Sequence, residues 1–490
     1  MKNKIIGVLL CAALLITGFF ATVTVHPEPS RVHQHIVDKK KASCTDHSSD
    51  VFCTHLPLVQ IDTNGQDIPG KPKYDEDGHR DGFTTTADGS ESIVSDIRIT
   101  SHEETNNHLS DEPTIESEAT IHVHGHSSRY FDKLSYRIKL IDENGNSNDQ
   151  SVMGMDAHSE WVLHGPYLDK TLIRNYMWYN LSGEIMSYSP NVRFCEVFIN
   201  GEYEGVYVMT ETITAGKDGS RLLLSVNKKN NTYSGYLLRM DRPSAEDIDN
   251  FTKYSYRMNY TSGINVEYPG SKSINPELVT SITKDFSSFE KSIYSYDFDS
   301  DEFGYKKTID IDSFVDYFII NELSCNFDAG GYSTYIYKDK DGKYRMCVWD
   351  FNNACDNYQE QAIQLDDFRL INIPWYWMLI KDKVFTHRII DRYHDLRESV
   401  LSDDYLNNYI DDTIAYLGDA LERNEKRWGY SFEDDTLLSP SDRNIHSYEE
   451  AVTQLKSFLD ERSGFLDENI DALAQYCAES RVKKFIENAN

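Results

Sequence analysis

The sequence predicts an α+β chain, with a β-rich first half over residues 56–240 and a mainly helical second half over 241–490, behind an N-terminal membrane segment. Three observations predict it. Alternating apolar and polar runs, bounded by Gly, Asp and Pro turns, recur up to residue 240. Apolar residues at helical spacing dominate from 276 onward. Lys2 and Lys4 precede an uncharged, mostly apolar run of 21 residues, Ile5 to Val25.

That run is long enough for a spanning helix, which needs roughly 20 apolar residues, whereas the apolar core of a signal peptide needs about 7–15. It reads as a signal-anchor over residues 1–27, with the lysines holding its start in the cytoplasm. Cleavage after Ala21 is the alternative, disfavoured by Phe19 where a small residue is preferred. Residues 28–55 are polar and His/Lys-rich, the composition of a juxtamembrane stalk. Everything beyond the segment is then expected outside the cytoplasmic membrane, where Cys44 and Cys53 are free to pair. Cys195, Cys325, Cys347, Cys355 and Cys477 are scattered through core-like patterns, and without a CxxC pair they read as buried thiols rather than zinc ligands.

Strands are expected at Leu58 to Ile61, Ile93 to Ile99, Ala119 to His124 and Ser135 to Ile141, the last two joined by Gly125–Lys133. Residues 168–186 have helical spacing, with Leu172, Tyr176, Tyr179 and Ile185 as buried-face candidates. Asn200-Gly201 between two alternating runs is a strong two-residue hairpin signal. A strand at Tyr236 to Arg239 precedes a Ser/Asn/Tyr-rich stretch, 243–275, that reads as loop. A helix over 310–325 ends before Cys325-Asn326-Phe327-Asp328-Ala329-Gly330-Gly331, and a second hairpin turns at Lys340-Asp341-Gly342. Residues 365–487 are mainly amphipathic helix.

With 49 basic and 80 acidic side chains, the chain carries a formal charge of −31. Such a surface repels phosphate backbones and excludes nucleic acid as a partner. It suits solubility, or attraction for cationic protein segments and metal ions. Apolar residues at 39% and 32 Tyr exclude a disordered chain.

The order of these elements resembles a protein-kinase plan, whose chemistry is phosphoryl transfer. It needs phosphates covered and neutralised, Mg²⁺ held on carboxylates, and an Asp beside the incoming hydroxyl. Asp328 follows a helix in a turn, and Asp350 ends the next hairpin, 22 residues later. Gly125 to Arg129 sits between strands, and Arg137 and Lys139 share a strand face. Each has a plainer reading: Asp328 caps a turn, Arg129 binds Asp132, Lys139 is solvated, and Glu211 merely ends its hairpin. His122, His124 and His126 alternate but lack carboxylate or Cys neighbours at ligand spacing, which makes them surface or loop histidines.

Six stretches, 124–140, 165–175, 197–211, 235–242, 321–328 and 348–357, occur in the order in which the CotH family of atypical, spore-coat-type protein kinases carries its motifs. The sequence resembles that family over most of 56–430. The resemblance implies an atypical protein-kinase-like fold, with a β-rich nucleotide-binding lobe before a helical catalytic lobe. It implies ATP- and Mg²⁺-dependent transfer to Ser or Thr of a protein, with Mn²⁺ as an alternative ion. Asp328 then corresponds to the catalytic aspartate, and Asp350 to the principal metal ligand beside Asn326, Asn352 and Asn353. Ser127, Ser128 and Arg129 correspond to the phosphate-facing turn. Lys139, Arg137 or Lys133 corresponds to the strand cation, and Glu211 to the adenine-binding hinge. The sequence departs from the family's pattern at His124, Leu134 and Asn352. These changes remove positive charge near the nucleotide and negative charge at the metal, so a non-catalytic surface scaffold or adhesin stands as the alternative.

Overall fold

In a computed structural model, which describes residues 52–102, 104–216, 221–225, 234–254, 262–270 and 273–482, the alternating strands of the first half close into a barrel. Its strands are β1 (Leu58–Asp62), β2 (Ile93–Thr100), β3 (Ile115–His124), β4 (Ser135–Ile141), β5 (Glu160–His164), β6 (Val192–Ile199) and β7 (Glu202–Glu211). The order around it is β6-β7-β5-β4-β3-β2-β1, and closure comes from β1 lying parallel to β6, Leu58 opposite Glu196. All other barrel neighbours are antiparallel. Alternation turns Val59, Ile97, Ile121, Ile138, Leu163, Val197 and Met209 inward, where they are buried together. The β6–β7 hairpin turns at Asn200-Gly201, both left-handed at φ 52° and 82°, as a twist-matched two-residue turn requires.

Helix α1 (Arg174–Ile185) starts later than the predicted 168–186. The reason is Asp169, whose carboxylate accepts the N–H groups of Thr171 (3.1 Å) and Arg174 (2.8 Å) and folds Asp169–Ile173 into a turn. Almost all of α1 is buried, polar side chains included, which marks a central helix rather than an amphipathic surface one. Its polar residues therefore hold other elements in place.

A second sheet comprises β8 (Tyr236–Asp241), β9 (Gly263–Tyr268), β10 (Thr334–Lys338) and β11 (Arg345–Cys347), in the order β9-β8-β10-β11. Strand β9 corrects the reading of 243–275 as loop. It is an edge strand with only Gly263 and Ile264 buried, so its polar residues hide the alternation. The remaining helices are α2 (Pro276–Tyr294), α3 (Ile311–Leu323), α4 (Tyr376–Leu379), α5 (Lys383–Arg397), α6 (Asp403–Leu417), α7 (Asp419–Trp428) and α8 (Tyr448–Asn469). Side-chain N-caps at Asn275, Asp310, Asp382, Ser402 and Ser447 start α2, α3, α5, α6 and α8. The chain is thus a mixed α+β protein.

Helix α7 is clamped to the barrel wall. Asn424 Oδ1 accepts from the Val206 N–H (3.1 Å) and Lys133 Nζ (2.8 Å), Trp428 Nε1 donates to the Glu204 carbonyl (2.8 Å), and Arg423 pairs with buried Glu196 (2.7 Å). The expected membrane segment, most of the stalk and Cys44 lie outside the described residues. Among the described residues no helix is long and apolar enough to cross a membrane. Cys195, Cys325, Cys347 and Cys355 are buried thiols as expected, while Cys477 is half-exposed.

Candidate functional site

A polar pocket of about 410 Å³ is lined by the 125–129 turn, β4, the end of β8 and the loops that carry Asp328 and Asp350. The turn depends on Gly125, whose φ of 99° and 2.0 Å clearance to Ser128 Oγ leave no room for a side chain. Arg129 is fixed by its own loop, with Nε donating to the Gly125 carbonyl (2.5 Å), Nη1 to the Gly70 carbonyl (3.3 Å) and the guanidinium 4.3 Å over Phe83. It does not bind Asp132, which accepts from Tyr430 Oη (2.7 Å).

Asp328 lies in the loop after α3. Arg369 steadies that loop by donating to the carbonyls of Asn326 (3.2 Å) and Phe327, while its own backbone N–H is held by Glu322 (2.6 Å). Asn353 Nδ2 donates to Asp328 Oδ2 (2.8 Å). Asp350 is left-handed, φ 58°, a conformation costing an L-residue roughly 1–2 kcal/mol. Helix α1 imposes it from below: Tyr179 Oη accepts the Asp350 N–H (2.9 Å), and Asn175 Oδ1 accepts the Phe351 N–H (2.7 Å).

Among the described residues neither acid forms an ion pair, and the charge of one acts on the other. Burial first, then the Asp328 charge, pushes Asp350 up to about 7, and burial raises Asp328 as well. Asn326 is buried behind Asp350, donating from Nδ2 to the Asp350 carbonyl (3.1 Å), and its Oδ1 is buried with no partner among the described residues. Two carboxylates close enough for one charge to raise the other are hard oxygen donors of the kind that a divalent cation such as Mg²⁺ takes. Asn352 also lines the pocket, but its Oδ1 accepts from Asn175 Nδ2 (3.2 Å).

The pocket therefore unites Ser127, Ser128, Arg129, Arg137, Asp328, Asp350, Asn352 and Asn353. It leaves out four expected residues: Asn326, Lys133, Lys139 and Glu211. Lys139 pairs with Glu160 (3.5 Å) outside the pocket lining. Glu211 is fully buried and accepts the Asn191 N–H (2.9 Å), so its carboxylate serves the barrel. Lys133, the other candidate cation, is buried and bonds the Val206 carbonyl (2.7 Å) and Asn424. Among the described residues no lysine lines the pocket, and its arginines are Arg129, Arg137, Arg239 and Arg242. His122, His124 and His126 line it too: His126 is an exposed loop residue, as expected, while His122 and His124 are half-buried, and burial depresses His124 to about 3.

Sequence reasoning assigned no role to Asp241, Arg239, Arg242, His164 or Tyr335, all of which line the pocket. Asp241 sits 3.6 Å from Arg242 and 3.8 Å from Arg239, and the signal for all three was the stretch 235–242. His164 ends β5 and is buried, which depresses it to about 4, and Ser135 Oγ lies 3.3 Å from its Nδ1. Gly165 follows with no space for a Cβ, which would come 2.6 Å from the Leu134 carbonyl and 2.8 Å from Tyr207. Gly165→Ala is expected to cost about 1–3 kcal/mol, measured as a lowered urea midpoint. A second cavity, about 280 Å³ between Lys170, Asp356 and Gln454, lacks the acid pair, and its Arg174 and Arg443 are already paired with Asp169 (2.6 Å) and Asp356 (3.0 Å).

Barrel, sheet and helices thus make a mixed α+β protein whose polar pocket gathers crowded carboxylates and arginines. The family described as CotH kinase protein matches residues 121–466. The chain belongs to that family and is kinase-like. No curated protein matches it.

Proposed function

We propose that the chain is an exported protein kinase that transfers the γ-phosphoryl group of ATP to a Ser or Thr hydroxyl of a surface or spore-coat protein. The observation carrying this reading is the Asp328–Asp350 pair in a pocket that also holds four arginines. In it, residues 56–240 act as the nucleotide-binding lobe and 241–490 as the catalytic lobe. Asp350 would hold Mg²⁺, with Asn326 as a neighbouring oxygen donor, and the ion would neutralise phosphate charge.

Asn353 holds Asp328 Oδ2 and leaves Oδ1 to accept the substrate hydroxyl proton. The hydroxyl oxygen bonds to the γ-phosphorus as the bridging P–O bond breaks, ADP leaves, and the proton goes to Asp328. Arg137 and Arg242 face the phosphates as fixed charges rather than recruited ones, each already positioned by Glu160 (2.6 Å) or Asp241 (3.6 Å). The formal charge of −31 favours substrates with Lys or Arg near the acceptor, and the N-terminal segment tethers the enzyme to a membrane.

A second reading has an observation of its own. With Lys133 buried in structural bonds and Lys139 paired outside, no lysine among the described residues lines the pocket to meet the α- and β-phosphates, which favours a non-catalytic scaffold on the same fold. Incubating the full chain with γ-labelled ATP, Mg²⁺ or Mn²⁺ and a basic Ser-containing peptide separates the two. The expected result is label transfer that falls about 10²-fold or more in Asp328→Asn with ATP binding retained. Binding without transfer in the unmutated chain supports the scaffold, and no binding at all sinks both the kinase reading and its metal site.

A further inference from the structure

We infer that the second cavity docks a lysine or arginine side chain of the substrate protein, next to the pocket in which the substrate hydroxyl reacts. Such docking presupposes the kinase reading and gives the basic segment of its substrate a built site.

The two cavities share a wall. Leu168 lines both, and the 352–359 segment runs between them, with Asn352, Asn353 and Gln359 lining the pocket and Asp356 and Asn357 lining the cavity. The segment is pinned from both sides. Asn357 Nδ2 donates to the Asn352 carbonyl (2.8 Å), and the Ser439 N–H donates to the Gln359 carbonyl (2.7 Å). Asn353, which holds Asp328, is followed three residues later by Asp356 in the cavity wall, a span of at most about 11 Å of chain. An extended peptide with its hydroxyl at Asp328 covers that span in three or four residues.

The lining selects a cation. Arg174 is spent on Asp169 and the carbonyls of Ala354 and Cys355, and Arg443 on Asp356 and the carbonyls of Tyr358 and Ser439. Lys170 donates to Ser431 Oγ (2.6 Å) and sits over the rings of Tyr167 (4.8 Å) and Phe432 (5.3 Å). Against that one ammonium stand Asp434, Asp442 and Glu450, none of them in an ion pair among the described residues. A buried acceptor points the same way. Asn357 is only 4% exposed, and because its Nδ2 is the end turned to Asn352, its Oδ1 is left without a donor among the described residues. An anion can use neither an amide oxygen nor carboxylates, whereas a cationic N–H can use both. Leu168, Leu437, Leu438 and Ala451 supply apolar wall for the methylene stem that a lysine or arginine carries and a metal ion lacks.

Fluorescence anisotropy on the full chain tests this with a labelled peptide that holds one Ser and one Lys in an otherwise neutral sequence, alongside transfer from γ-labelled ATP to the same peptide. Moving the Lys one residue at a time is expected to give one preferred spacing, with affinity and kcat/KM about 10-fold above those of the Lys-free peptide. Asp434→Asn with Asp442→Asn is expected to erase that preference, chiefly through KM. Asp395→Asn with Glu468→Gln, which removes the same charge from exposed positions on α5 and the far end of α8, should keep it. A response that is uniform along the peptide, or equal in the two double variants, overturns the docking site and leaves the kinase reading intact. A preferred spacing that depends on Asp434 and Asp442 in anisotropy, in a chain that transfers no label, upholds the site and overturns the kinase reading. If no peptide binds and none is labelled, both are overturned.

Discussion

Replacing Asp350 by Asn is expected to reduce phosphoryl transfer by about 10⁴-fold while raising the melting temperature of the metal-free chain near pH 8. Both effects have one cause. Burial and the neighbouring Asp328 push Asp350 up to about 7, far above the roughly 4 of an unfolded Asp. Below pH ~4 the group is protonated folded and unfolded, and its favourable contribution is complete. As pH rises through about 7 the folded chain must ionise it against desolvation and a like charge, and that contribution is lost. In EDTA the melting temperature of the unmutated chain should therefore fall between pH 5 and 8 by more than that of Asp350→Asn. Mg²⁺ at pH 8 should lift the unmutated chain and leave the variant nearly unmoved. A variant that transfers phosphate normally, or responds equally to Mg²⁺, would remove Asp350 from the metal site.

The second large effect is structural. Arg462 on α8 and Glu322 on α3 are both fully buried and pair at 2.6 Å; Arg462 also donates to the carbonyls of Leu365, Asp367 and Glu322. Glu322 in turn accepts the N–H groups of Arg369 (2.6 Å) and Leu370 (2.8 Å). Glu322→Ala leaves an uncompensated buried guanidinium and is expected to cost about 3–5 kcal/mol, read from urea unfolding. Because Glu322 fixes Arg369, and Arg369 fixes the Asn326 and Phe327 carbonyls, residual activity should fall by more than the folded fraction. Replacing both partners by Met should recover much of the stability, since it removes the unpaired charge. A double variant no more stable than Glu322→Ala would show that the guanidinium is not the source of the cost.

How far the sequence discloses this architecture depends on how local each determinant is. Asn200-Gly201 announces its hairpin because its two left-handed residues are adjacent. Asp328 and Asp350 stand out because each sits at the border of a periodic run. Barrel closure is hidden, since Leu58 and Glu196 pair across 138 residues with nothing in either segment to name the other. Alternation places Arg137 and Lys139 on one face of β4, yet only the first reaches the pocket, because the strand passes its rim. Lys133 is invisible as a structural lysine until Asn424, almost three hundred residues on, supplies its acceptor. His164 carries no motif of its own; its position comes wholly from the strand that it ends. Strand β9 fails the periodicity test because an edge strand has no need to bury a full face.

The parallel seam between β1 and β6 has a consequence for the order of assembly. Hairpin and meander contacts among β2 to β5 join neighbouring segments and can form while the chain is short. The seam cannot, because its two sides are separated by most of the barrel's length. Until Ile199 is available, β1 presents an unpaired apolar margin, Leu58, Val59 and Ile61, open to another chain. Once β6 docks, that margin disappears and α7 can clamp the wall through Asn424. Late seam closure thus makes the nascent barrel the stretch most in need of protection from self-association, and the finished barrel among the least.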